Sequence, residues 1–298
     1  MKKTLILITA VLFLAAGLAT AQQKKIYNDG EIDYVPISAK FVLDADDDGS
    51  SISQVQYSID GGKIKVYREP IKFSAEGRHV IAYRAIDKTG NISKETFYSC
   101  IVDDTPPKIL VSATGPAYVL KDKAYLTSKT AIILAGVDNL SGTDAIYVSL
   151  DNSPFKKYPG SATIKGEGLH TGKAYAVDKV GNRTKTYLVQ GVIDNTPPTV
   201  EIVTDEELVN LKGTLYASTD TGFSLKARDA VSGVKDVLFS VNGSDYIAYV
   251  EPVKAQRPGK YTVRYKAIDN LGNESRVKTI SFTVDAETPE ASLTPVLE

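Results

Sequence analysis

Apolar and polar residues alternate with a period of two along many short stretches of this chain. Ile81, Tyr83 and Ala85 fall on one face of residues 80–86, and residues 262–268 repeat the pattern. Such alternation, rich in β-branched and aromatic residues, is typical of half-buried strands. Turn sequences rich in Asn, Asp and Gly separate the stretches, and no amphipathic helix is evident. The pattern predicts an all-β protein, with further strands over residues 131–137, 146–150 and 186–193.

The whole pattern recurs every 91 residues. The turn Asp87-Lys-Thr-Gly-Asn returns at Asp178 and again at Asp269, and a tyrosine recurs at positions 67, 158 and 249. About seven short strands in about 91 residues is the rhythm of an immunoglobulin-like sandwich. We therefore predict three tandem immunoglobulin-like β-sandwich modules after a signal peptide. The predicted boundaries are 1–21 for the signal peptide, 22–104, 105–195 and 196–287 for modules 1, 2 and 3, and 288–298 for a C-terminal tail.

The first 21 residues have the three parts of a secretory signal. Lys2 and Lys3 give a basic start, residues 5–18 are predominantly apolar, and Ala19-Thr-Ala21 fits a small-residue cleavage site. The apolar run is short for a membrane span of about 20 residues. The sequence therefore predicts export, to the outer membrane, the cell surface or the periplasm, with peripheral association with the envelope as an option.

Acidic residues recur at the predicted junctions between modules. Residues 77–87 read as strand F of a sandwich, which places the B–C turn and the F–G turn at the end where the preceding linker arrives. The sequence therefore predicts that carboxylates of linker and turns converge, in a cadherin-like arrangement suited to calcium, an ion that prefers oxygen ligands. The residues are Asp103, Asp104, Asp138 and Asp178 at one junction, and Asp194, Asp229 and Asp269 at the next. The alternative is that they only form turns and linkers, through hydrogen bonds of their own side chains.

A separate acidic loop is a second calcium hypothesis. Asp44, Asp46 and Asp48 alternate and precede Gly49, as in the opening of a calcium loop. The twelfth position is Val55 instead of a bidentate glutamate, which excludes a full EF-hand. A solvated B–C loop is the alternative.

Composition excludes several classes of function. The 298 residues carry a net charge of −1, which does not support nucleic-acid binding. One cysteine, two histidines and no tryptophan leave no disulfide scaffold, zinc cluster or catalytic constellation. The histidines fall at one aligned position, 79 and 170, where the third copy has Tyr261, so a structural role at a tyrosine corner is expected. The sequence predicts no enzyme, and no cofactor beyond the hypothetical calcium.

The register differs at the two ends of the repeat. The first strand of module 1 would fall inside the signal peptide, so that strand is atypical or missing unless residues 24–27 replace it. Residues 290–294 follow the last linker where another first strand would begin. An unpaired edge invites strand addition, so self-association through the C-terminal strand is one hypothesis.

The combined motifs resemble a known family. Tyr57-Ser-Ile-Asp-Gly-Gly, the strand F pattern with Asp-x-x-Gly-Asn, and Val-Asp-Asp-Thr-Pro-Pro are similar to the OmpL-type repeats of spirochaete outer-membrane proteins. This resemblance implies export, an envelope or surface location and no catalytic residues, and some members of the family adhere to host extracellular-matrix proteins. We therefore expect an envelope-associated, non-enzymatic repeat protein, a surface adhesin or structural spacer that binds protein partners.

Two other functions remain open. One is an outer-membrane β-barrel, disfavoured because barrel strands are about 9–11 residues long with a lipid-facing apolar band. The other is an accessory carbohydrate-binding module, disfavoured because the chain has no tryptophan.

Overall fold

A computed structural model of the chain describes residues 13–14 and 23–293. Most of the predicted signal peptide and residues 294–298 of the predicted tail therefore lie outside the described residues. Within the described part the regular structure consists of β-strands, and none of it is a helix of the length and apolar character needed to cross a membrane. The fold class is all-β.

The described residues form twenty-four strands, which alternate with tight turns and short loops. In chain order they are β1 (Phe13–Leu14), β2 (Tyr27–Asn28), β3 (Asp33–Pro36), β4 (Ile52–Ile59), β5 (Lys65–Val66), β6 (Gly77–Asp87), β7 (Thr96–Asp103), β8 (Lys108–Thr114), β9 (Ala117–Leu120), β10 (Lys123–Leu126), β11 (Ala131–Val137), β12 (Thr143–Leu150), β13 (Lys156–Lys157), β14 (Gly168–Asp178), β15 (Tyr187–Ile193), β16 (Thr199–Thr204), β17 (Val209–Leu211), β18 (Thr214–Ala217), β19 (Gly222–Arg228), β20 (Val234–Val241), β21 (Ile247–Ala248), β22 (Val253–Lys254), β23 (Gly259–Asp269) and β24 (Lys278–Val284).

The strands repeat at the interval seen in the sequence. The longest strands, β6, β14 and β23, begin at Gly77, Gly168 and Gly259, and each ends at the aspartate that opens the Asp-x-x-Gly-Asn turn. Each of these glycines has a positive φ, between 97° and 136°, which disfavours a side chain at the start of the strand. These three strands are the predicted strands F.

The chain divides into two compact units that differ from the predicted module boundaries. The first unit comprises Met1–Thr114, Ala131–Ala162 and His170–Gln190, and the second comprises Gly115–Thr130, Thr163–Leu169 and Gly191–Glu298. Residues of predicted module 2 thus occur in both. The boundaries at 104, 195 and 287 stay predictions.

The first unit contains one complete six-stranded sheet. Its order is β2-β3-β7-β6-β4-β5, in which β3 runs parallel to β7 and the other pairs are antiparallel. Val35, Ile71, Phe73, Ile81 and Val102 form its buried apolar cluster together with Cys100, a free and buried thiol. The same unit holds the antiparallel pair of β8 and β11, and β12 paired with β13 and β14.

The second unit contains a two-layer sandwich. A six-stranded sheet of order β17-β18-β24-β23-β20-β21 and a three-stranded sheet of order β16-β19-β22 enclose a buried cluster that includes Phe223, Phe239, Tyr265 and Phe282. The parallel pairing of β18 with β24 matches that of β3 with β7. The end of β15 pairs in parallel with β10, which pairs in turn with β9.

Among the described residues, the first module shows no counterpart of the β8–β11 pair that opens the second module. Segment 40–46 aligns with β11, but in the described residues only the single bridge of Phe41 to Ile71 pairs it. Tyr27 pairs with Tyr34 in the way that β9 pairs with β10. Residues 24–27 therefore do not replace the missing first strand, which was one of the two alternatives. At the other end, residues 288–293 lie in no strand.

Candidate metal centres

Three carboxylates converge where the linker after β7 meets the turns of the following strands. Asp103 ends β7, Asp138 follows β11, and Asp178 ends β14. One oxygen from each lies within 4.8 Å of the others. Asp103 and Asp178 are fully buried and Asp138 is partly buried. All three belong to the first compact unit.

Local turn chemistry fixes the two carboxylates that belong to turns. Asp138 Oδ1 accepts hydrogen bonds from the backbone N–H groups of Leu140 (3.2 Å) and Gly142 (2.8 Å). Asp178 Oδ1 accepts one from the backbone N–H of Asn182 at 2.7 Å, and its Oδ2 accepts one from Asn182 Nδ2 at 2.6 Å. Aspartate side chains commonly close turns in this way. The same bonds hold each carboxylate in one orientation.

Hydrogen bonds of Asp103, the first residue of the linker, connect the linker to these turns. The backbone N–H of Ser141 donates to Asp103 Oδ2 at 3.0 Å, and Asn182 Nδ2 donates to the Asp103 carbonyl oxygen at 3.0 Å. Thr105, two residues further along, donates from its backbone N–H to Asp103 Oδ1 (3.3 Å) and from Oγ1 to Glu76 Oε2 (2.9 Å). Asp103 is therefore hydrogen-bonded both to the turns and to the linker residue Thr105.

A second cluster repeats the first at the next linker. Asp194, Asp229 and Asp269 again bring one oxygen each within 4.8 Å, with Asp194 and Asp269 fully buried, and all lie in the second unit. The backbone N–H of Ser232 donates to Asp194 Oδ2 at 3.0 Å, and Asn273 Nδ2 donates to the Asp194 carbonyl oxygen at 3.2 Å. The geometry thus recurs with the sequence repeat.

Buried oxygens at both clusters have no hydrogen-bond partner among the described residues. They are Asp138 Oδ2 at the first cluster and Ser232 Oγ at the second, whereas the Ser141 side chain interacts with the Asp103 carboxylate. Ser141 and Ser232 are only 3% and 4% exposed. Each serine also donates its backbone N–H to the linker aspartate, which places its hydroxyl beside the carboxylates. Buried polar atoms are nearly always paired, so these oxygens are available to a cation or a water molecule.

The electrostatics of the first cluster also favour a cation. Burial raises the pKa of Asp103 and the pKa of Asp178. The negative charge of Asp138 raises the pKa of Asp103 further, and the negative charge of Asp103 does the same to the pKa of Asp178. In the described part of the chain, no lysine or arginine forms an ion pair with these three carboxylates. Lys24 Nζ donates instead to the side-chain oxygen of Asn182. Among the described residues, the three carboxylates therefore have no direct ion-pair partner, and Lys24 contacts them only through Asn182.

The donor set fits a hard divalent cation. Ca²⁺ takes 6–8 oxygen ligands at about 2.4 Å, so oxygens bound to one ion lie at most about 4.8 Å apart. The spacing within each cluster meets this condition. Three carboxylates and one serine hydroxyl leave positions for water. The absence of thiol and imidazole groups disfavours zinc.

The structure does not bring the other predicted ligands into these clusters. Asp104 is exposed, and its backbone N–H donates to Glu76 Oε1 at 3.1 Å. Asp44, Asp46 and Asp48 are also exposed, and they belong to neither group of converging carboxylates found in the described residues. The loop folds around Asp47, whose Oδ2 accepts from the backbone N–H groups of residues 49 and 51 at 3.2 and 2.8 Å.

Alignment at 91 residues explains this loop. Asp47 is the counterpart of Asp138, and Asp87 is the counterpart of Asp178, but the counterpart of Asp103 is Leu12. Module 1 therefore has the two turn carboxylates and lacks the linker carboxylate. Calcium binding by Asp44, Asp46 and Asp48 stays a prediction.

Sequence reasoning also missed the serine and the asparagine of each cluster. Ser141 and Ser232 are 91 residues apart, as are Asn182 and Asn273. Their recurrence was visible in the repeat, but a side chain of either type is also an ordinary turn former. Only their placement against the linker aspartate gives them a role.

The aligned histidine position has a structural role. His79 Nε2 lies 3.0 Å from the carbonyl oxygen of Ala75, and Tyr261 Oη donates to the carbonyl oxygen of Arg257 at 2.9 Å. Both rings thus contact the backbone four residues upstream, as in a tyrosine corner. His170 Nδ1 lies 2.7 Å from Asp151 Oδ2.

One family model matches part of the chain, and several solved structures are similar to it. Residues 157–227 match the family model of the bacterial Ig-like domain, group 3. No curated protein matches the sequence. Among solved structures, the chain is similar to the fibronectin(III)-like modules of Clostridium thermocellum CbhA, with 16% identity, 61% of this chain and 100% of that chain covered, and a TM-score of 0.34.

Two further structures cover more of the chain. SGBP-B of the Bacteroides ovatus mixed-linkage glucan utilization locus, solved in complex with a mixed-linkage heptasaccharide, is 12% identical over 93% of this chain and 71% of that one, with a TM-score of 0.21. Salmonella alpha-2-macroglobulin is 13% identical over 91% of this chain and 24% of that one, with a TM-score of 0.20. The strands and the family match make this chain an all-β protein of tandem immunoglobulin-like β-sandwich modules.

Proposed function

We propose that each carboxylate cluster binds one Ca²⁺ ion and that the ion fixes a linker to the turns of the module that follows it. The observation that carries this proposal is the repeated convergence of three aspartates beside a buried serine. A bound ion would place a positive charge in direct contact with the carboxylates, which no lysine or arginine of the described residues does. It would also join three segments that are distant in the sequence.

At the level of the whole protein, we propose an exported, envelope-associated and non-enzymatic repeat protein that serves as a structural spacer or a surface adhesin. The match to a bacterial Ig-like domain supports an extracytoplasmic module of this kind. The resemblance to OmpL-type repeats adds adhesion to host matrix proteins as the finer proposal. Calcium-fixed junctions suit both roles, because tandem modules gain reach and avidity without new contacts.

Calcium titration of the mature chain tests the metal sites. We expect isothermal titration calorimetry to give two ions per chain, with a rise in melting temperature and slower proteolysis at residues 103–107 and 194–198. Asp178→Asn should weaken calcium binding at the first cluster at least about tenfold. One ion per chain should then bind with the original affinity, at the second cluster. The double variant of Asp178→Asn with Asp269→Asn should bind neither ion.

Asp87→Asn is the matched control. In the equivalent turn of module 1, Asp87 accepts hydrogen bonds from the backbone N–H of Asn91 at 2.8 Å and from its Nδ2 at 2.7 Å. No linker carboxylate was found beside Asp87 among the described residues. This variant should lose some stability and keep both calcium sites. Absence of binding by the unmodified chain, or equal calcium affinity in the Asp178 and Asp87 variants, would overturn the proposal.

A binding assay on matrix proteins distinguishes an adhesin from a spacer. An adhesin should bind immobilised fibronectin or collagen in a saturable way with calcium present, whereas a spacer should bind neither. Surface proteolysis of intact cells tests the envelope location directly.

A further inference from the structure

The sandwich of the second unit contains an apolar cavity of about 240 Å³. It lies between the two sheets and is lined by Ile202, Phe239 and Tyr249 and by the stacked rings of Phe223 and Phe282, whose centroids are 4.4 Å apart. Native interiors are close-packed, and voids larger than one water molecule are few. A cavity of this size in a small sandwich therefore calls for an explanation.

One difference between the copies contributes to this space, although Phe282 stands where the first module has Cys100. Phe73 of the first module is 7% exposed, and its ring lies 5.3 Å from that of Phe41 and 4.4 Å from that of His79. The aligned residue, 182 positions later, is Ala255, which lines the cavity. The side chain that fills the first sandwich is thus absent from the third.

The mouth of the cavity carries positive charge. Lys254, Gln256 and Arg257 are exposed and contribute to the lining, so the cavity reaches solvent beside β22. None of the residues that line it is acidic. The hydrogen bond from Tyr261 Oη to the Arg257 carbonyl oxygen holds this segment at the opening. The site therefore combines an apolar interior with a cationic rim.

We propose that the third module binds a medium-chain carboxylate or similar anionic amphiphile, with its chain between the sheets and its head group at Lys254 and Arg257. The volume matches roughly eight groups of the size of water or methylene, at about 30 Å³ each. Ligand sites generally pair an apolar cavity with a few polar groups that fix orientation. This site is independent of the proposed calcium centres.

Octanoate is the probe for the test. We expect calorimetry on the full mature chain to show one octanoate per chain and thermal denaturation to show a stabilising shift. Ala255→Phe should abolish binding, because it restores the ring that fills the first sandwich, and Ala255→Leu serves if the phenylalanine variant does not fold. Val250→Phe is the matched control, since Val250 is 87% exposed and does not line the cavity; this variant should bind octanoate like the unmodified chain.

Charge is tested separately. The double substitution Lys254→Gln and Arg257→Gln should weaken octanoate about tenfold, the loss expected for a charge-assisted contact, and should leave octanol binding unchanged. Octyltrimethylammonium should bind more weakly than octanoate. The proposal is overturned if octanoate does not bind, if Ala255→Phe and Ala255→Leu variants that remain folded bind it undiminished, or if the cationic amphiphile binds as well as octanoate.

Discussion

Asn182 Nδ2 donates a hydrogen bond to the backbone carbonyl oxygen of Asp103 at 3.0 Å across 79 residues of sequence. The same side-chain nitrogen donates to Asp178 Oδ2 at 2.6 Å. Asn273 makes the equivalent pair of bonds to Asp194 and Asp269, at 3.2 and 2.7 Å. The asparagine of the Asp-x-x-Gly-Asn turn thus fastens the turn to the preceding linker with protein atoms alone.

Replacement of this asparagine should therefore destabilise the junction with or without calcium. Asn182→Ala removes both donors and leaves buried acceptors unpaired, at a cost of about 1–3 kcal/mol. Asn91→Ala is the control, because Asn91 donates to Asp87 in an exposed turn and contacts no linker. Hydrogen–deuterium exchange around residues 103–107 and 178–182 measures the local effect. Equal protection of the linker in the two variants would contradict this role.

The stabilisation by calcium should depend on pH. Because the folded pKa values of Asp103 and Asp178 are raised, these groups favour the fold when protonated. Without metal, that contribution is present below the unfolded pKa of about 4 and is lost as the pH rises through the raised folded values. Calcium needs the ionised carboxylates, so its effect runs in the opposite direction.

The difference in melting temperature with and without calcium should therefore grow from pH 4 to pH 7. Taking this difference cancels the contributions of carboxylates elsewhere, such as Asp60, whose pKa is lowered by its hydrogen bond to His79. The Asp178→Asn and Asp269→Asn double variant should show no such growth. A difference that is independent of pH would place the calcium effect elsewhere on the protein.

The repeat made much of the fold predictable. The alternation of residues 80–86 and 262–268 corresponds to strands β6 and β23, and the period of 91 places three copies of each long strand. The proximity of Asp103, Asp138 and Asp178 followed from topology, because linker and turns meet at one end of a sandwich. Calcium binding there stays a prediction.

Other features depended on packing that a pattern does not show. The sequence does not distinguish Asp103, which is buried, from its neighbour Asp104, which is exposed, because both are linker aspartates. The cavity beside Ala255 exists only because the surrounding rings do not collapse into the space. The cavity could therefore be found only in the three-dimensional structure.

Tyrosine should substitute for histidine at the corner position. In His79→Tyr the phenolic group can reach the carbonyl oxygen of Ala75 as Tyr261 reaches that of Arg257, although the 2.7 Å contact to Asp60 is lost. We expect a change within about 1 kcal/mol, against a larger loss for His79→Ala, which removes both hydrogen bonds and the ring that stacks on Phe73 at 4.4 Å. Protection of β6 and β7 from hydrogen exchange distinguishes the two variants. Equal destabilisation would exclude a corner role.

Exchanging the two aligned residues Phe73 and Ala255 should have opposite effects on the two sandwiches. Phe73→Ala removes a buried ring that contacts Phe41 and His79, and such truncations cost about 3–5 kcal/mol. Ala255→Phe places a ring in a cavity of about 240 Å³, and cavity filling typically gains about 0.5–2 kcal/mol. Hydrogen exchange reports each sandwich separately, in β6 and β7 for the first and in β23 and β24 for the third. If Ala255→Phe lowered protection in β23 and β24, the ring would be overpacking the site, and the cavity would be smaller in solution than the structure shows.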